Sequence, residues 1–138
     1  MSVSQERLRQ VQQWLIKAQH DLQAARALAN QTSPLLDVAI YHCQQAAEKA
    51  IKGFLIFHDQ RLEKTHNILV LVEQASKIVP EWSTKLDAAE NLTQYAVLYR
   101  YPSSQIPETI EPTLEEFSQT LQDAEAFYTS VKALLPIA

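Results

Sequence analysis

The sequence predicts an all-α fold in one domain over residues 1-138, an up-and-down four-helix bundle with one short extra helix. Three observations carry that prediction. Apolar residues recur at alternating steps of three and four through several long stretches, the spacing of one helix face. Glycine occurs only once, at Gly53, which argues against sheets joined by tight turns. Prolines and polar residues separate the periodic stretches, and every connection is short enough to join antiparallel neighbours.

Helix 1 is expected over 5-30, where Leu8, Val11, Leu15, Ala18, Leu22, Ala25 and Ala29 form the stripe. Ser33 and Pro34 read as a cap and first-turn proline, opening helix 2, which runs to about His58. Its inner face, Ala39, Cys43, Ala46, Ala50 and Gly53, is small enough to let another backbone approach closely, so helix 2 is expected at the centre. Thr65 is the expected cap of a short helix carrying Ile68, Leu69, Val72, Ala75 and Val79, with Pro80 ending it. Helix 4 is expected over 82-99, on Leu86, Ala89, Leu92, Ala96 and Tyr99. Three prolines between 102 and 112 enforce a loop, and Thr113 with Glu116 starts helix 5. Its stripe is Leu114, Phe117, Leu121, Ala124, Tyr128, Val131 and Leu135, and helices 1 and 5 are expected to be neighbours.

Composition narrows the function classes. Net charge is -4 with a pI near 5.5, so the long-range field repels polyanions, and any nucleic-acid contact must come from a local basic cluster. A single glycine excludes the glycine-rich phosphate loops, and a single cysteine, Cys43, excludes internal disulfides and cysteine-based zinc frameworks. Cys43 falls on the small inner face of helix 2 and reads as buried filler. His20 and His58 have no metal-ligand spacing, and neither a metal nor another cofactor is expected. No apolar run reaches a membrane span and the N-terminus lacks signal-peptide features, so a cytoplasmic protein is expected.

The polar side of helix 2 is dense. His42, Gln45, Lys49 and Lys52 share one stripe at steps of three, four and three, with Tyr41, Gln44 and Glu48 beside them. Such a stripe is either a solvated or intersubunit helix face, with exposed lysines, or a ligand surface. Periodicity alone leaves both open.

The segment Asp37-Val-Ala-Ile-Tyr-His-Cys-Gln-Gln-Ala-Ala-Glu-Lys-Ala-Ile-Lys52 resembles the signature helix of the HEPN family. Lys64-Thr65-His66-Asn67-Ile68-Leu69 is similar to that family's entry to its next helix, and Leu92-Thr-Gln-Tyr-Ala-Val-Leu-Tyr-Arg-Tyr-Pro102 to a later block. With Trp14, Ala18 and Asp21, the matches run in family order from residue 14 to 102. The resemblance implies a helical bundle that commonly dimerises and is often encoded beside a minimal nucleotidyltransferase, as its substrate-binding or toxin partner.

Ribonuclease members of the wider family carry an arginine and a histidine separated by four to six residues, before the final helix. Here that place holds Arg100-Tyr101-Pro102, and no histidine follows His66. Arg61 and His66 meet the spacing elsewhere, but chance supplies roughly 0.4 such matches in a chain of this composition. The expectation is therefore a nucleotide-binding partner, acting as a homodimer with a separate nucleotidyltransferase chain, nucleotide or RNA being the ligand class. Lys49, Lys52 and Arg100 are expected to meet phosphate, His42, Gln45 and His66 to make polar contacts, and Tyr95 or Tyr101 to contact a base. The rivals are an endoribonuclease toxin and a protein-protein interaction module.

Overall fold

The computed structural model describes residues 3-62, 64-100 and 111-136. Among them lie five α-helices and one 3-10 helix, and no strand. The helices are α1 (Gln5–Ala29), α2 (Leu36–Phe57), α3 (Ile68–Ser76), α4 (Leu86–Arg100) and α5 (Leu114–Leu134), with the 3-10 helix Pro80–Lys85 between α3 and α4. The loop expected around 102-110, and Tyr101 with it, lies outside the described residues.

Helix α1 begins where Ser4 Oγ accepts the Arg7 amide at 3.1 Å, meeting one of the donors that a helix start leaves unpaired. Helix α2 opens later than Ser33-Pro34 suggests. The Leu35 amide is spent on the Leu28 carbonyl at 3.2 Å, and Leu35 itself is non-helical, so the first turn forms only when Ala39 N reaches Leu35 O. At the other end Asp59 takes φ 57°, the left-handed conformation that a short polar side chain tolerates. The amides of Asp59 and Gln60 then close onto the carbonyls of Ile56 and Leu55, and Arg7 pairs with Asp59 at 3.1 Å.

The cap of α3 is Asn67, not Thr65: Asn67 Oδ1 accepts the Leu69 amide at 2.9 Å, while Thr65 Oγ1 accepts from Asn67 N. The helix also ends at Ser76, short of Pro80. Pro80 opens the 3-10 helix instead, whose tighter winding puts Trp82 into the core between Phe54 and Phe127, at ring distances of 5.3 and 5.9 Å. Regular α-helix therefore starts at Leu86 rather than 82. Helix α5 starts as its Thr113/Glu116 capping box predicts.

Helix α2 contacts each of the other four α-helices, with α1 as its main neighbour, and α1 also touches α5. Its small face is buried throughout: Ala39, Cys43, Ala46, Ala50 and Gly53 all lie in the core. A Cβ added at Gly53 would lie 3.2 Å from Trp14 Cβ, so the absence of a side chain sets how closely α1 and α2 cross. The stripe of α5 is rotated from the expected one. Phe127 and Thr120 are buried while Leu114 is 63% exposed, because Thr120 satisfies its hydroxyl on the Glu116 carbonyl at 2.7 Å and so can face inward.

Candidate functional site

Two buried carboxylates organise the polar side of α2. Asp21, from α1, accepts from His42 Nδ1 at 2.9 Å and from Lys49 Nζ at 2.6 Å. Glu48, 3% exposed, accepts from Gln44 Nε2 at 3.0 Å, Lys52 Nζ at 3.1 Å and His66 Nδ1 at 3.0 Å. Ionised acids this far from water persist only with such donors around them. The lysines of the stripe are correspondingly far from freely solvated. The Lys52 side chain is 11% exposed and its ammonium sits 5.9 Å from the Trp14 ring, and that of Lys49 is 25% exposed.

Helical spacing explains the clustering. Gln44, Glu48 and Lys52 follow one another at single turns, so Glu48 receives one donor from the turn before and one from the turn after. The third donor, His66, comes from the segment entering α3. That segment is held from both sides: Gln44 Nε2 also donates to the His66 carbonyl at 3.0 Å, and the Ile68 amide donates to Thr93 Oγ1 of α4 at 3.0 Å. Thr93 Oγ1 in turn donates to the Ala89 carbonyl.

Between α2, this segment and α4 lies a cavity of about 410 Å³. Tyr41, Gln44 and Gln45 line it from α2, His66 and Asn67 from the entry segment, and Thr93, Ala96, Val97 and Arg100 from α4. Arg100 stacks over Tyr41, its guanidinium carbon 4.2 Å from the ring centre. The Glu48 carboxylate can only accept, so it fixes the proton of His66 on Nδ1 and turns Nε2 away; the ring is otherwise 84% exposed. The cavity thus joins a planar cation, an oriented imidazole and three carboxamides beside the apolar Ala96 and Val97.

Of the residues expected from the sequence, Gln45, His66 and Arg100 come together here. His42 and Lys49 gather on Asp21, and Lys49 lines a second groove of about 500 Å³ with Trp14 and Lys17. Lys52 is bound to Glu48. Tyr95 faces elsewhere, lining a groove with Thr113 and Glu116, its ring 6.0 Å from that of Tyr99. Tyr41, Asn67 and Thr93 are cavity residues that periodicity did not single out. For Asn67 the signal was present, an Asn immediately before an apolar run, which is cap chemistry. Tyr41 stood beside the polar stripe of helix 2, and for Thr93 there was no signal, because its role depends on how α2 meets α4.

Outside the cavity, burial pushes the Cys43 thiol up to about 12, an inert group consistent with filler. Burial and the hydrogen bond to Glu116 raise Tyr99 to about 12. Among the described residues no three His, Cys, Asp or Glu side chains could hold a metal ion together, and no helix is long and apolar enough to cross a membrane.

Comparison with known proteins adds an independent line. The HEPN domain family model matches residues 11–134. Putative toxin MJ1304 of Methanocaldococcus jannaschii is 31% identical over 129 residues, covering 86% of this chain and 84% of that protein. The crystal structure of TT1696 from Thermus thermophilus superimposes with a TM-score of 0.74 at 26% identity, over 91% of this chain and 98% of the other. That of ST0689, an archaeal HEPN homologue, gives 0.67 at 23% identity, over 91% and 97%, a likeness of fold.

Proposed function

The chain belongs to the HEPN family, and from that premise we propose that it is a nucleotide-binding partner whose ligand enters the cavity between α2 and α4. The observation that carries this reading is the convergence of Arg100, Gln45, Asn67 and His66 on one cavity of about 410 Å³. A guanidinium packed over Tyr41 is the group of this cavity whose chemistry suits phosphate, and the carboxamides suit a base edge. Lys49 and Lys52 serve the site indirectly in this reading, by holding the Asp21 and Glu48 side chains in place. Calorimetric titration of AMP tests it. Binding to the wild type that Arg100→Ala weakens about tenfold or more supports the reading, since bonds to a charged donor are worth that much. Equal affinity in the variant contradicts it.

The chain acts, in the same proposal, as a homodimer beside a separate minimal nucleotidyltransferase, one half of a toxin-antitoxin pair. The name of the Methanocaldococcus jannaschii relative, a toxin, supports the second part. A nucleotidyltransferase in the adjacent reading frame that co-purifies with this chain is the expected result; a chain that elutes alone and monomeric contradicts it.

One observation favours a second reading, cleavage of RNA. His66, oriented by Glu48, shares the cavity with Arg100, so an acid-base group and a cation meet without the usual sequence spacing. RNA cleavage by the wild type that disappears in both His66→Ala and Arg100→Ala would establish it, and equal degradation by all three preparations would dismiss it.

A further inference from the structure

We propose that the buried Glu48 carboxylate, through Gln44, and the Leu69 backbone amide together set the hydrogen-bonding polarity of the cavity, so that it selects a base with an exocyclic amino group beside a ring-nitrogen acceptor over its carbonyl counterpart. The inference rests on the nucleotide-binding reading and names the substrate class of that site. Adenine and cytosine share the selected chemistry; hypoxanthine and uracil reverse it.

The polarity follows from partners that can bond in only one sense. A carboxylate oxygen accepts and never donates. Glu48 Oε1, 3.0 Å from Gln44, must therefore face its Nε2. The second proton of that nitrogen goes to the His66 carbonyl, also at 3.0 Å, which again can only accept. Gln44 is left presenting Oε1, and that oxygen takes a hydrogen bond from Gln45 Nε2 at 2.9 Å. The relay Glu48, Gln44, Gln45 thus determines which end of the Gln45 amide is engaged. Its Oε1 has no partner among the described residues and is not sealed from solvent, in a residue that lines the cavity.

Asn67 is fixed in the opposite sense. Its Oδ1 accepts the Leu69 backbone amide at 2.9 Å, so the end left over is the Nδ2 donor. The cavity presents one oriented acceptor and one oriented donor, neither of which can flip without breaking a bond to a backbone group or to the chain that ends on Glu48. An amino group meets the Gln45 oxygen and the adjacent ring nitrogen meets Asn67. A carbonyl base places oxygen against oxygen and N–H against N–H, leaving both pairs unsatisfied.

The test uses matched ligands that differ at this edge, AMP against IMP and CMP against UMP, titrated calorimetrically into the full chain. The expected result is at least about tenfold tighter binding of the amino member, since even one well-placed hydrogen bond against one mismatched pair has that effect. Discrimination within the purine pair alone assigns adenine, and within the pyrimidine pair alone cytosine; either supports the proposal. Glu48→Gln, whose amide can donate as well as accept, releases the relay and is expected to weaken the preference to what Asn67 alone supplies, while nucleotide still binds. Should that variant fail to fold, Gln45→Met removes the acceptor directly and is expected to narrow the gap between the amino member and its counterpart. Equal binding of both members by the wild type overturns this inference and leaves the nucleotide site standing, as does a preference undiminished in Gln45→Met. Absence of binding by all four ligands overturns both.

Discussion

Glu48 stays buried because an ammonium, a carboxamide and an imidazole all donate to it, and each of those groups is positioned by the acid in return. The same reciprocity holds at Asp21 between His42 and Lys49. Removing a lysine therefore leaves an uncompensated buried charge rather than a vacant patch of surface. Lys52→Ala is expected to destabilise the chain by about 3 kcal/mol. Thermal denaturation should show a melting temperature lower by roughly 10 °C for a domain of this size. A shift under about 2 °C would mean that Lys52 is solvated and the pair with Glu48 is loose. In the sequence Asp21 and Glu48 look like ordinary helix-surface acids, one inside a stretch read for its apolar stripe and the other beside a polar stripe. Nothing local distinguishes a buried acid from an exposed one, because its burial depends on donors supplied from other helices.

At the scale of elements, the crossing of α1 over α2 depends on Gly53. Alanine is the better helix former by about 1 kcal/mol, but the added Cβ meets Trp14 Cβ, an atom that no rotamer change can move. Relief requires a shift of α1, so Gly53→Ala is expected to be net destabilising by about 1 kcal/mol. Denaturant unfolding with an unchanged slope would read this, and a stabilised variant would show that the crossing yields freely.

A second element-scale device joins the end of α4 to the start of α5, where Tyr99 Oη donates to Glu116 Oε2 at 2.6 Å. That bond, with the Thr113 backbone amide, holds the Glu116 carboxyl below its ordinary value of 4.5. A carboxylate depressed by folding contributes stability above its unfolded pKa and loses it as pH falls through the folded one. The melting-temperature gap between wild type and Glu116→Gln is thus expected to be full at neutral pH and to close as the pH falls below the ordinary carboxyl value of 4.5. A gap that stays constant over that range would contradict the ion-assisted bond.

The capping box at Thr113 and the small face of α2 were both legible in the sequence, since each is written in adjacent turns of one helix. The start of α2 and the 3-10 winding at 80-85 were not. They depend on Leu35 bonding back to Leu28 and on Trp82 filling a gap between Phe54 and Phe127, contacts made across the fold.

For the whole molecule, α2 is both the packing centre and the base of the candidate site: its small side receives the core, and its polar side receives the segment entering α3. The polar stripe, continuous in sequence, is divided by the two acids into the cavity at Gln45, His66 and Arg100 and the groove beside Trp14 and Lys49. The central claim is that ligand enters the first of these. Nuclear magnetic resonance of the labelled chain during titration with AMP tests it most directly. The account predicts that the side-chain amides of Gln45 and Asn67 and the imidazole of His66 shift in a saturable way, while the indole of Trp14 stays in place. Saturable shifts confined to Trp14 and its neighbours on the groove, with the Gln45 and Asn67 amides unmoved, would contradict it.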